Sequence, residues 1–164
     1  MKSTISICGV GILMLVLALA PTAVKAVGDS SPEAPQASAD PSYEAAVKAV
    51  KAKQYTVAIG LLEKVVAANP NNADAFNYLG YSYRQLSDFQ GSLRYYTKAL
   101  SIDPSHRGAN EYLGELYLKM GDLKKAEERL EKLNSLCFFG CEEFDLLKRS
   151  VDAYRLGKSG ASVY

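Results

Sequence analysis

The sequence has no tryptophan, a single histidine and three cysteines among its 164 residues, and it has no marked excess of charge. Nineteen basic and eighteen acidic residues give a formal net charge of +1. This balance disfavours binding to nucleic acid or to an anionic lipid surface. His106 is predicted to be an exposed turn residue, and the pattern places no serine or cysteine nucleophile beside it. We therefore expect no enzyme, with no catalytic residue, metal or cofactor.

The N-terminal segment has the order of features found in secretory signal peptides. Lys2 precedes an apolar run at residues 5–20, and Pro21 and a small-residue sequence ending at Ala26 follow it. We expect cleavage after Ala26 and export of the rest, to a bacterial periplasm. The run is shorter than the roughly 20 residues of a bilayer-spanning helix, which disfavours its retention as an anchor. The mature chain is thus predicted to have no membrane span.

Two further segments lack the large apolar residues that a folded core requires. Residues 27–41 are rich in proline, serine, alanine and acids, and are predicted to be a disordered linker. Residues 157–164 are predicted to be a flexible tail. Between them, residues 42–156 are long enough for one domain with its own core.

That domain repeats with a period of 34 residues, in units at about 39–72, 73–106 and 107–140. Small residues recur at two positions of each unit, where they allow a pair of helices to approach closely. These residues are Ala46, Gly80 and Gly114 at the first position, and Ala58, Ser92 and Ala126 at the second. Pro70 and Pro104 end the second helices of the first two units, because proline disfavours helix in the residue before it.

The residues that recur in these units resemble the pattern of the tetratricopeptide repeat family. The second unit carries the resemblance best, through Phe76, Leu79, Gly80, Tyr83, Ser92, Tyr96, Ala99 and Pro104. The resemblance implies an all-α fold, an α-solenoid of three antiparallel helix pairs. Helices are predicted at about 42–53, 55–68, 73–86, 89–102, 107–120 and 123–136. A seventh, near 141–156, would cap the last repeat with an apolar face of Phe144, Leu147, Val151 and Tyr154.

The resemblance also implies a binding surface, since the first helix of each unit lines the concave face of such arrays. The candidate partner-binding residues are the non-core positions Tyr43, Lys51, Asp74, Asn77, Tyr81, Arg84, Glu111 and Glu115. Some family members hold a C-terminal carboxylate there with lysines, asparagines and an arginine. Here Tyr43 and Asn77 stand where that clamp begins with lysine, while Glu111 and Glu115 face the same groove. A partner with positive charge is therefore the more natural expectation.

Cys137 and Cys141 frame the sequence CFFGC where a third helix stop is due. Two thiolates are too few ligands for a zinc site, and no methionine-rich or histidine-rich segment surrounds them to favour a copper(I) site. A catalytic redox pair usually has the spacing Cys-x-x-Cys on an α/β fold. A structural disulfide is the remaining interpretation, with Gly140 permitting the turn. One of Phe138 and Phe139 is then expected to pack beneath this corner.

The predicted function is an exported scaffold or adaptor that binds a peptide or helix of a partner protein. The alternative is a thiol-dependent helper, a metal carrier or redox protein, that uses Cys137 and Cys141. Weak self-association through an uncapped N-terminal repeat is a further expectation.

Overall fold

The computed structural model describes residues 41–157, which form seven α-helices and no strand. The helices are α1 (Pro41–Lys51), α2 (Tyr55–Ala68), α3 (Ala73–Gln85), α4 (Phe89–Ile102), α5 (Arg107–Lys119), α6 (Leu123–Leu136) and α7 (Glu142–Arg155). Each predicted helix boundary lies within two residues of the observed one. The all-α helical-repeat prediction is confirmed. The predicted signal peptide, the linker up to residue 40 and the tail from residue 158 lie outside the described residues.

Successive helices pack as neighbours, first within a pair and then between pairs. The pairs are α1–α2, α3–α4 and α5–α6, and α7 packs against both α5 and α6. The predicted apolar face of α7 meets the last pair, since Leu147 and Val151 are fully buried there. The capping helix thus covers the end of the array that would otherwise expose the core of the third unit.

The repeated small residues allow close helix packing at two successive steps of the solenoid. A Cβ atom added at Gly80 in α3 would lie 2.5 Å from the ring of Tyr96 in α4. One added at Gly114 in α5 would lie 2.5 Å from Leu147 in α7. The same repeat position therefore receives a side chain from the paired helix in unit two, but from the capping helix in unit three.

Side chains cap the first turns of four helices. Asn72, Asp88 and Asp122 each accept a hydrogen bond from a backbone N–H of the helix that follows. His106 does the same for α5, since its Nδ1 accepts from Ala109 N–H at 3.1 Å. His106 lies in the turn before α5, as predicted, but the expectation that it is exposed is wrong, because capping holds the ring against α5 with only 13% of its side chain exposed.

The cysteine pair forms the corner between α6 and α7. Cys137 and Cys141 are bonded in the structure, with their Cα atoms 5.6 Å apart, and Gly140 between them has a left-handed φ of 85°. Phe138 and Phe139 are 87% and 97% exposed, so the expectation that one of them packs beneath the corner is wrong. The loop ends are held so close that the short segment between them projects outward, and the two rings contact each other instead.

Candidate functional site

A groove of about 440 Å³ opens on the side of the domain formed by the first helices of the three units. It lies at the N-terminal ends of α1, α3 and α5, and the N-terminal end of α7 closes one side. Its lining residues are Tyr43, Asp74, Asn77, Tyr78, His106, Gly108, Glu111, Tyr112, Glu142, Glu143 and Leu146. The groove therefore combines three tyrosine rings with four carboxylates.

A hydrogen bond joins the first turn of α3 to the turn that precedes α5, at the edge of the groove. Because His106 Nδ1 accepts from the backbone, its Nε2 carries the proton and donates to Asp74 Oδ1 at 3.0 Å. This bond lowers the pKa of the Asp74 carboxyl below its usual value. Burial raises the pKa values of Tyr43 and Tyr78, and the negative charge of Asp74 raises them further. Both phenols are thus neutral groups beside a persistent anion.

Asn77 lies in the wall of the groove with an unused acceptor. The residue is only 6% exposed, and its Oδ1 has no hydrogen-bond partner within residues 41–157. Gly108 on α5 lies beside this amide, since a Cβ built there would be in ordinary van der Waals contact with Asn77 Nδ2 at 3.5 Å. A buried amide oxygen without a donor is uncommon in folded proteins, because leaving it unpaired costs roughly 1–3 kcal/mol.

A second polar cluster lies further along α3 and α5. Its members, here called the Arg84 cluster, are Arg84, Tyr81, Tyr112 and Glu115. The guanidinium carbon of Arg84 lies 5.4 Å from the ring centroid of Tyr81 and 5.3 Å from that of Tyr112, and the guanidinium pairs with the Glu115 carboxylate. This arrangement provides a buried arginine with two aromatic faces and an anion.

The structure separates the predicted partner-binding residues into two groups. Tyr43, Asp74, Asn77 and Glu111 line the groove, whereas Tyr81, Arg84 and Glu115 belong to the Arg84 cluster. Lys51 is exposed at the far end of α1, away from the groove.

Three of these positions are buried, although the repeat register placed them outside the core. Arg84, Asn77 and Glu111 are 4%, 6% and 3% exposed. The rings of Tyr81 and Tyr112 cover the Arg84 guanidinium. The expectation that these three are non-core positions is wrong.

Sequence reasoning missed several lining residues. Tyr78 and Tyr112 occupy equivalent positions of units two and three, so the 34-residue register itself contained that signal. Glu142, Glu143 and Leu146 belong to α7, outside the repeat, and only the docking of α7 against α5 brings them to the groove.

Two family models, both described as tetratricopeptide repeat, match residues 43–107 and 83–135. Together they span the three helix pairs and extend over more than half of the chain. The chain belongs to the tetratricopeptide repeat family. A search of curated proteins finds no match.

Solved structures of other tetratricopeptide proteins resemble this domain. A MamA fragment from Desulfovibrio magneticus RS-1 is 33% identical with a TM-score of 0.56, over 58% of this chain and 54% of that one. The chain therefore spans about half of the MamA fragment that it matches. The Yersinia enterocolitica type III secretion translocator chaperone SycD is 17% identical with a TM-score of 0.64, over 73% and 84% of the two chains. The first tetratricopeptide domain of Spaghetti (RPAP3), bound to the HSP90 peptide SRMEEVD, is 20% identical with a TM-score of 0.62, over 70% and 90%.

No helix within residues 41–157 of this tetratricopeptide protein is long and apolar enough to cross a membrane. The same part of the chain contains no group of three or more histidine, cysteine or acidic side chains arranged to hold a metal ion.

Proposed function

We propose that this tetratricopeptide protein is an exported adaptor that holds a segment of another protein, a peptide or a helix, in the groove described above. The observation that carries the proposal is the groove itself, a concave site of about 440 Å³ lined by tyrosines and polar groups. Tyrosine suits such a surface because it offers a large apolar face and a hydrogen-bonding end at low entropic cost. Export rests on the predicted signal peptide at residues 1–26.

The charge of the groove argues against an acidic chain end as its occupant. The HSP90 peptide bound by Spaghetti (RPAP3), SRMEEVD, contains three acidic side chains. In this protein Asp74, Glu111, Glu142 and Glu143 line the groove instead. Like charges in a partly buried site repel one another and cost desolvation energy, so a neutral or cationic segment fits better.

Filling the groove will abolish partner capture without unfolding the domain. A Cβ at Gly108 would make ordinary van der Waals contacts and no overlap, so Gly108→Leu places a side chain in the groove and adds helix propensity to α5. The variant is immobilised and exposed to extract of its native cells. We expect it to recover at least about tenfold less partner than the unaltered protein, which corresponds to a loss of roughly 1.4 kcal/mol of binding free energy. Quantitative mass spectrometry of the captured proteins measures the loss.

The matched control for that experiment is Gly60→Leu. Gly60 lies on α2 with open space around it, so the same substitution adds the same side chain outside the groove. Circular dichroism establishes that both variants are folded. Equal capture by Gly108→Leu and by the unaltered protein would refute the groove as the binding site.

We also propose that Cys137 and Cys141 form a structural disulfide and do not act as a reactive dithiol. Peptide mapping of unreduced exported protein is expected to recover the two cysteines as one bonded peptide. The double variant Cys137→Ser/Cys141→Ser should lose only about 2 kcal/mol of stability, since the closed loop is short. Two alkylatable thiols at these positions in the native protein would instead favour the thiol-dependent alternative.

A further inference from the structure

Phe138 and Phe139, here called the phenylalanine pair, are the most exposed large hydrophobic side chains within residues 41–157. Their rings contact each other edge to face, with the centroids 5.0 Å apart. Together they form one apolar surface of roughly 300 Å² or more. An exposed apolar patch of this size on a folded protein often marks a contact with another molecule.

The turn between α6 and α7 does not itself require aromatic residues. At the distance of one and two repeats, Phe139 aligns with Ser105 and Asn71 in the earlier turns between units. Both of those residues are polar and exposed, so a turn at this position forms without an apolar side chain. Packing in the core does not account for the phenylalanine pair either, since almost all of both side chains is exposed.

The turn that carries the phenylalanine pair is tied to the helices on both sides. The N–H of Cys137 donates to the Leu133 carbonyl at the end of α6. The N–H of Asp145 donates to the Cys141 carbonyl at the start of α7. Between them the disulfide joins the two cysteines, and the N–H of Gly140 donates to the Cys137 carbonyl at 2.8 Å, which closes a β-turn with both rings at its central positions. The backbone beneath the rings is therefore ordered before anything binds, which lowers the entropic cost of binding.

The phenylalanine pair lies next to the groove along the chain. Glu142 is the first residue of α7 and lines the groove, and it follows Phe139 by three positions. Three residues of fully extended chain span at most about 11 Å, so the two Cα atoms are no further apart than this. An extended peptide rises about 3.3 Å per residue, so three or four of its residues cover that distance. A segment held in the groove can thus continue onto the rings.

The size and the surroundings of the phenylalanine pair indicate what kind of molecule it contacts. A stable contact between two proteins, or between two copies of one chain, buries at least about 1,000 Å². Two rings are too small for this alone, so a neighbouring surface must complete the contact, and the groove lies within reach. The first turn of α7 also places Glu142, Glu143 and Asp145 beside the rings, which disfavours an anionic lipid surface.

We propose that the phenylalanine pair is a second part of the partner-binding site, which takes a large apolar side chain from the same segment that the groove holds. This inference rests on the proposed function. An aromatic, leucine or methionine side chain suits the pair, because it packs on the faces and edges of the rings and brings no polar group that would be left unpaired. The groove then provides hydrogen-bonding groups and the pair provides an apolar anchor point.

The test is a selection of random peptides displayed on phage against the immobilised full chain. Parallel selections use the unaltered protein, Gly108→Leu and the double variant Phe138→Ser/Phe139→Ser. We expect peptides enriched on the unaltered protein to share a large apolar residue at a fixed position. The preference for that residue should disappear on the double variant, and all of the enriched peptides should be lost on Gly108→Leu.

A synthetic copy of an enriched peptide measures the effect in solution by fluorescence anisotropy. The double variant should bind it at least about tenfold more weakly, because the apolar contacts are lost. The matched control is Leu156→Ser, which removes a side chain that is 77% exposed at the opposite end of α7 and should leave the affinity unchanged. Circular dichroism verifies that the variants are folded, as the exposure of the three side chains leads us to expect.

Unchanged affinity of the double variant, or an equal loss in Leu156→Ser, would overturn the proposal. Two further results would assign the phenylalanine pair to another occupant and would overturn it as well. One is sedimentation of the unaltered protein, but not of the double variant, with vesicles of phosphatidylglycerol and phosphatidylethanolamine. The other is concentration-dependent association in light scattering that the double variant abolishes.

The apolar part of the site and the proposed function fail in different ways. If Gly108→Leu loses the peptides while Phe138→Ser/Phe139→Ser binds them normally, partner binding in the groove stands and only the role of the phenylalanine pair is refuted. If the double variant loses the peptides while Gly108→Leu binds them normally, the rings bind without the groove. That result refutes the groove as the partner site and, with it, the shared segment. A selection that enriches no peptide on the unaltered protein would overturn both.

Discussion

Gly80→Ala will destabilise the domain by about 2 kcal/mol, whereas Gly60→Ala will stabilise it by about 1 kcal/mol. Both glycines lie within helices, so both substitutions gain about 1 kcal/mol of helix propensity. At Gly80 the new methyl group would lie 2.5 Å from the ring of Tyr96, which is completely buried, so the helices or the ring must shift. Overpacking of about 3 kcal/mol then exceeds the propensity gain. At Gly60 nothing lies within 4 Å, so the gain remains.

Urea denaturation followed by circular dichroism measures both changes on the same scale, and unchanged m-values would show that the denatured state is unaffected. Both variants carry the same Gly→Ala substitution, so the opposite signs of their changes in unfolding free energy isolate the packing contribution. A stabilising Gly80→Ala would mean that α3 and α4 can move apart without loss, and that the small residues of the repeat do not set helix spacing.

The repeat architecture could be predicted from the sequence because its signals are local and periodic. Pro70 and Pro104 end helices because proline sterically disfavours helix in the residue before it. The 34-residue repeat places every helix start within a residue or two of its observed position. The apolar face of α7 follows from helical spacing alone. Even the close packing at Gly80 follows from its place in the column of small residues.

The groove could not be predicted from the sequence in the same way, because it depends on contacts between units. The burial of Arg84 requires Tyr112 from the next unit and Glu115 beside it, and no pattern within one repeat contains that information. His106 lies in the predicted turn, but the pattern does not contain the contacts of its two ring nitrogens with Asp74 and with the start of α5. Phe138 and Phe139 resemble core residues by type, and only the geometry of the corner turns them outward.

Glu115→Ala will destabilise the domain by about 4 kcal/mol, because it leaves the Arg84 guanidinium charged and buried without its carboxylate. Only 2% of the Arg84 side chain is exposed, so the guanidinium is far less hydrated than a surface arginine. The double variant Arg84→Met/Glu115→Leu removes both charges and keeps the volume apolar, and a buried ion pair replaced in this way costs little. We therefore expect the double variant to be more stable than Glu115→Ala alone, as measured by urea denaturation.

The same double variant decides whether Arg84 contacts the partner, as the sequence suggested, or supports the fold, as its burial indicates. If Arg84 acts within the domain, Arg84→Met/Glu115→Leu will capture the partner as well as the unaltered protein does, while Gly108→Leu will not. The two experiments use the same immobilised domain and the same extract, so their results are directly comparable. If the double variant is folded but no longer captures the partner, Arg84 would have to be counted as part of the binding surface. Normal capture would support recognition in the groove at the N-terminal ends of α3 and α5, about two to three helical turns from Arg84 on α3.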